Sequence, residues 1–253
     1  MQWDQLLKTG VAVAQEAGQV LLDGGHKLRS VAFQDARDVK LEADRASELL
    51  IRERLSKAFP YPIYGEELGG DAGLLQRYEP YWVVDPLDGT YNYLRGSELC
   101  AVSIGLMRGE TPILGIIHDF NRNVCYSGYA GGAFQINGNK QQASWETRQE
   151  QAALVTGFPA GMSRDDGSME SFLETIAPFK KVRMVGSAAL ALAYVAAGIY
   201  DVYHERSIRL WDVAAGLALV QAAGGAIRMQ PSAGNKPLAY DIWAGEAKFF
   251  PKN

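Results

Sequence analysis

Two cysteines in 253 residues cannot build a disulfide framework, and Cys100 and Cys125 stand too far apart to form a metal-ligand motif. They read as core or strand thiols of a protein kept in a reducing cytoplasm. The histidines His26, His118 and His204 are isolated in sequence, and none is assigned a catalytic role. The longest near-apolar run, Ala188 to Tyr200, is too short to span a bilayer. Asp4, Lys8 and Glu16 interrupt any signal-peptide core near the amino terminus. Basic residues do not cluster: 25 Lys and Arg stand against 29 Asp and Glu. A net charge of −4 leaves no electrostatic footprint for nucleic acid. Repeats and low-complexity tracts are absent. What is present is 47% hydrophobic residues, ample for a sizeable core, in a length that fits one large domain or two small ones.

The most informative stretch is Trp82-Val83-Val84-Asp85-Pro86-Leu87-Asp88-Gly89-Thr90. An apolar strand, Tyr81 to Val84, runs into two carboxylates, and the carboxyl end of a strand is where open α/β sheets place ligands. Pro86 has a fixed φ and no N–H, and it biases Asp85 toward extended backbone. A stiff turn of this kind aims Asp85, Asp88 and the Leu87 carbonyl at one point. These are hard oxygen donors of the type Mg²⁺ prefers. Gly89 admits a ligand close to the backbone, and a helix starting there would offer free N–H groups to an anion. Cations beside an anion cradle suggest phosphate ester chemistry. Asp-Pro and Asp-Gly are also ordinary turn dipeptides, so this stretch alone does not decide the matter.

Four further segments bear on it. Gly65-Glu66-Glu67 follows a strand around Ile63, and its acids are either site or solvated surface. Asp44 lies at or near a helix start, as an N-cap or first-turn acid would. Asp212 opens an apolar helix in which Val213, Leu217 and Val220 repeat at helical spacing. Val185-Gly186-Ser187-Ala188-Ala189 leads into another helix, as an anion site or simply as a close-packing turn.

Periodicity sketches the remainder. Leu7, Val11, Ala14 and Leu21 share one helical face; Ile51, Leu55, Ala58 and Phe59 share another. From Ala101 to Phe134 the chain reads as a meander of strands, with turns at Gly109-Glu110, Asn121 to Asn123 and Gly131-Gly132. Asn137-Gly138 is a hairpin signal. Polar residues 141 to 151 connect two halves. Beyond them, strands near Leu154, Val182 and Val202 alternate with helices near 167–177 and 188–197, and Thr156 to Pro159 form a loop.

In order and approximate spacing, Asp44, Gly65-Glu66-Glu67, Asp85-Pro86-Leu87-Asp88-Gly89-Thr90, Gly186-Ser187-Ala188-Ala189 and Trp211-Asp212-Val213-Ala214-Ala215-Gly216 resemble the inositol monophosphatase family, part of the lithium-sensitive, Mg²⁺-dependent phosphatases. The resemblance covers nearly the whole chain. It implies an α+β fold, a layered α-β-α-β-α sugar-phosphatase sandwich. Residues 1–140 and 141–253 would be its halves, with the site between them. It implies two or three Mg²⁺ per site. Glu66, Asp85 and the Leu87 carbonyl would hold one, and Asp85, Asp88 and Asp212 a second, with a weaker third near Glu66. Gly89 and Thr90 would present N–H groups to the phosphate; Thr90, hydrogen-bonded to Asp44, and Glu66 would ready the attacking water. Gly186, Ser187, Ala188 and Glu205 would meet the alcohol, Asp88 would lie within reach of the substrate, and Arg183 is either a phosphate clamp or a surface residue. Such a pair of cations clamps an in-line displacement and acidifies the attacking water.

The chain departs from the family pattern in places. Leu41 replaces a threonine in Asp38-Val39-Lys40-Leu41-Glu42-Ala43-Asp44, where Lys40 replaces an apolar residue; Tyr91 and Ala191 are also atypical. None is a metal ligand, so the departures bear on substrate and turnover. The expected activity is hydrolysis of a small polyol or sugar monophosphate, inositol 1-phosphate first. Fructose 1,6-bisphosphate and 3′-phosphoadenosine 5′-phosphate are alternatives, although Gly186-Ser187-Ala188-Ala189-Leu190 differs from the latter branch. A non-catalytic binding or regulatory module on the same fold is the contrasting reading. The resemblance also implies a homodimer, while the charge balance and the short apolar runs imply that neither nucleic acid nor membrane is a partner.

Overall fold

A computed structural model describes residues 2–28, 31–34, 39–158, 166–233 and 237–251. Asp38 and Pro159, and the side chains of His26, Lys40 and Leu41, lie outside the described residues. In chain order the elements are α1 (Trp3–Leu28), β1 (Val31–Gln34), β2 (Val39–Leu41), α2 (Glu42–Ala58), β3 (Ile63–Gly65), β4 (Pro80–Asp88), α3 (Thr90–Leu94), β5 (Ala101–Arg108), β6 (Thr111–Asp119), β7 (Val124–Tyr129), β8 (Gln135–Ile136) and β9 (Asn139–Lys140). Then follow β10 (Ala153–Thr156), α4 (Asp166–Ile176), β11 (Lys181–Arg183), α5 (Ala188–Ala196), β12 (Val202–Arg209), α6 (Leu210–Ala222), β13 (Ala226–Pro231) and β14 (Ala239–Gly245).

Strands β3 to β9 form one seven-stranded sheet in sequence order, and a second sheet runs β11-β10-β12-β14-β13. Alternation along β4 divides the core: Trp82 and Val84 pack under α1 and α2, while Tyr81 and Val83 face α5 and α6. Along the second sheet, Val155 and Tyr203 face the same central helices. Leu154 and Val202 face outward, where Ile176 of α4 covers them. The result is the α-β-α-β-α sandwich that the resemblance implies. The Ala101–Phe134 meander and the Asn137-Gly138 hairpin are present, Asn137 and Gly138 both having positive φ, as a tight hairpin turn requires.

A row of glycines sets the position of α6. Gly105, Gly115 and Gly128 are paired neighbours across β5, β6 and β7. A Cβ at Gly105 would lie 2.9 Å from the Ala215 nitrogen, and one at Gly115 only 2.0 Å from the Ala215 oxygen. The missing side chains make a trough in which the α6 backbone rests directly on the sheet. That depth carries the first turn of α6, with Asp212, to the end of β4.

Candidate active site

The strand expected to stop at Val84 instead runs on through Pro86 to Asp88. It continues because β5 pairs with it across a bulge: Asp85 opposes Ser103 and Asp88 opposes Ala101, so Pro86 and Leu87 share Val102. In a regular strand, residues three apart face opposite sides of the sheet. The extra residue turns Asp85 and Asp88 to one side and drops Leu87 into the core under α2. A bulge also tolerates the proline. The Asp85 Oδ1 accepts from the Leu87 N–H at 3.0 Å, and the Ser47 hydroxyl donates to the Pro86 carbonyl at 3.1 Å.

Helix α2 braces the site with one face. Asp44, Ser47 and Glu48 are spaced to lie together on it, and all three are buried. Glu48 accepts from Arg52 Nε at 2.7 Å and from the N–H groups of Glu67 (2.7 Å) and Leu68 (3.2 Å). Arg52 in turn donates to the Gly69 carbonyl, so the two side chains clasp the loop that carries Glu66. Gly65 leaves room for this clasp, since a Cβ there would lie 2.0 Å from Glu48 Oε1. At the other end of the loop, Tyr64 stacks on Trp211 with ring centroids 6.1 Å apart, joining β3 to the start of α6.

Glu66, Asp85 and Asp212 thereby each bring one carboxylate oxygen to within 4.8 Å of the others. Burial first, then the neighbouring carboxylates, holds Asp85 and Asp212 well above the usual carboxylate range. Burial also raises Asp88 to about 6, although the Ser187 hydroxyl and backbone N–H groups pull it down. Asp88 Oδ2 accepts from that hydroxyl and from the Ala189 N–H at 2.7 Å, which ties β4 to the first turn of α5. Ser187 is also the α5 N-cap, accepting from the Leu190 N–H at 3.2 Å. Its hydroxyl is thus occupied in positioning Asp88.

Gly89 caps the short helix α3 with φ +89°, and a Cβ there would lie 2.8 Å from the Leu99 carbonyl, so no other residue fits. Thr90 Oγ1 donates to the Leu87 carbonyl at 3.0 Å. A hydroxyl has one proton to give, and the nearby carbonyl at the helix start takes it.

Beside Asp88 lies a pocket of about 360 Å³ lined by Gly186, Ser187, Ala188, Ala191, Tyr203 and Glu205 among others. Glu205 accepts from the Tyr203 hydroxyl at 2.9 Å, and burial, opposed by that bond, raises it to about 7. Arg183 is absent from this pocket; it lies exposed on the edge strand β11.

A family model for the inositol monophosphatase family matches residues 2–248. The chain belongs to the inositol monophosphatase family. Members are phosphoric monoester hydrolases and generally depend on Mg²⁺, and the cluster of hard carboxylate oxygens, strained by mutual repulsion, fits such a cation. The chain is 38% identical over 219 residues to the Nus factor SuhB of Xylella fastidiosa, covering 85% of this chain and 78% of that one. It is 34% identical to the fructose-1,6-bisphosphatase/inositol-1-monophosphatase of Aquifex aeolicus, covering 87% and 83%. The solved structure of an inositol monophosphatase from Anabaena (Nostoc) superposes with a TM-score of 0.82 at 32% identity, over 98% of this chain and 93% of that one. No helix among the described residues is long and apolar enough to cross a membrane.

Sequence reasoning missed Ser47, Glu48, Arg52 and Tyr203. Glu48 and Arg52 carried a signal, since they follow Asp44 at i, i+4 spacing on a helix. Tyr203 carried one too, since alternate residues of a strand share a face with Glu205.

Proposed function

We propose that this phosphatase hydrolyses the monophosphate of a small polyol or sugar, with inositol 1-phosphate the first substrate to test. The single observation carrying this reading is the convergence of Glu66, Asp85 and Asp212 beside a pocket lined by Asp88 and Glu205. We assign Glu66, Asp85 and the Leu87 carbonyl to one Mg²⁺, and Asp85, Asp88 and Asp212 to a second. Bound there, Mg²⁺ supplies Lewis acidity toward the phosphate and its leaving oxygen. The residues supply orientation and proton transfer. Thr90, its own proton given to the Leu87 carbonyl, keeps lone pairs that accept from the attacking water. Glu66 and Asp44 are the carboxylates assigned to take that water's proton. As the water oxygen bonds to phosphorus, the P–O bond of the ester breaks and its oxygen leaves with the sugar or polyol as an alkoxide, which takes up a proton from solvent to become the alcohol. The Gly89 and Thr90 N–H groups face the phosphate, and Glu205 receives a hydroxyl of the alcohol, with Ala188 and Gly186 forming the wall.

A second reading, fructose 1,6-bisphosphate, is favoured by the name of the Aquifex relative. The Nus factor name of the Xylella relative keeps a binding or regulatory role in view. A phosphate-release panel with Mg²⁺ and with chelator decides among them. It should compare inositol 1-phosphate, fructose 1,6-bisphosphate, 3′-phosphoadenosine 5′-phosphate and glycerol 2-phosphate. No Mg²⁺-dependent release from any of these would leave only the binding role. Inhibition by millimolar lithium and elution as a homodimer are the accompanying expectations.

A further inference from the structure

Strand β12 contains a second bulge. Glu205 opposes Ile242 and Ile208 opposes Tyr240, so Arg206 and Ser207 face Asp241 alone. The extra residue lets Glu205 and Ile208, three apart, line the same pocket. It does so through Ser207 at φ +56°, a left-handed conformation that a serine adopts only under constraint. The constraint is visible. The Ser207 N–H donates to Asp241 Oδ1 at 3.0 Å and to Ser232 Oγ at 3.2 Å, and the Ser232 hydroxyl donates to Asp241. Ser232 is itself anchored by its N–H on the Ala239 carbonyl at 3.0 Å.

We propose that Asp241, with Ser232, is a positioning residue for substrate choice: it holds the Ser207 bulge and thereby aims Glu205 at the alcohol part of the substrate. The inference rests on the reading that Glu205 meets that alcohol. A regular β12 would turn Glu205 or Ile208 out of the pocket, because one residue of register reverses every side chain beyond it.

The test compares inositol 1-phosphate with p-nitrophenyl phosphate, an ester whose leaving group offers no further hydroxyl, both with Mg²⁺. Asp241→Ala is expected to raise the KM for inositol 1-phosphate about tenfold, the worth of one hydrogen bond to a charged group. Its kcat on p-nitrophenyl phosphate stays within about twofold of the parent, the scatter expected when no transition-state contact is lost. Ser207→Gly adopts the same conformation unaided, so adding Asp241→Ala to it should change the inositol 1-phosphate KM little. A parental KM in Asp241→Ala, an equal loss on both esters, or no rescue by Ser207→Gly would overturn the proposal. Should Asp241→Ala not fold, Ser232→Ala carries the same comparison. An unchanged KM in Glu205→Gln would overturn both the Glu205 reading and this inference. A raised KM there beside a parental KM in Asp241→Ala overturns the inference alone.

Discussion

Both ends of the site use the same backbone device and secure it differently. At the end proposed to hold metal, the β4 bulge turns Asp85 and Asp88 to one side; at the end proposed to meet the alcohol, the β12 bulge does this for Glu205 and Ile208. The β4 bulge is buried, contains a proline, and is held by Ser47 from a helix packed on the core. The β12 bulge is partly open to solvent and is held by two polar side chains around a serine in left-handed backbone. Buried packing resists local change because every neighbour must move with it. A hydrogen-bonded brace near solvent is replaceable by water or by a glycine. On the proposed function, the chemistry belongs to the rigid end and the choice of alcohol to the adaptable one.

The largest effect that could break this division lies at Asp88. Asp88→Asn should lower kcat for any ester by about 10²–10³, the loss seen when one electrostatic group is removed from a catalytic site. A phosphate-release assay that shows a change in KM alone would place Asp88 with the alcohol instead. Glu48→Ala comes next. It leaves the Glu67 and Leu68 N–H groups and the Arg52 Nε without their acceptor, and should cost about 3 kcal/mol in denaturant unfolding. Calorimetric titration should show weaker Mg²⁺ binding in the same variant, since Glu66 loses its braced loop.

The third prediction concerns pH. Asp85, Asp88, Asp212 and Glu205 all sit above their ordinary values, so the folded protein binds protons more tightly than the unfolded chain. Their contribution to stability is present at low pH and lost as pH rises through about 6 for Asp88 and about 7 for Glu205. Without metal, Tm should fall between about pH 5 and about pH 8. Saturating Mg²⁺ should restore about 5–10 °C at the upper end, by binding the folded state alone. A metal-independent Tm would argue against a cation at the rigid end. The smallest effect belongs to Ser207→Gly alone. Relief of backbone strain offsets the added chain entropy, and stability should change by less than about 1 kcal/mol. A large loss would mean that the β12 bulge is as rigid as its counterpart.

Asp85, Asp88, Glu66, Asp44 and Asp212 were legible because each stands at a strand end or helix start, with glycine, proline or an apolar run marking the boundary. The alternation of apolar strands and amphipathic helices was legible too, and the sandwich followed from the family resemblance that the motifs carry. The glycines of β5, β6 and β7 were visible as residues, but nothing local says that they align into a trough for α6. The role of Ser187 was equally hidden. It lies 99 residues from the Asp88 carboxylate to which it donates, and a bond across that distance leaves no mark on the residues around it.

Residue chemistry and local periodicity were thus set by the chain itself: which side chains can ligate, where helices begin, which strands are buried. Only the folded molecule decided which way those side chains face. That direction depends on register, and register depends on partner strands and on two single-residue bulges whose pairing is made far along the chain.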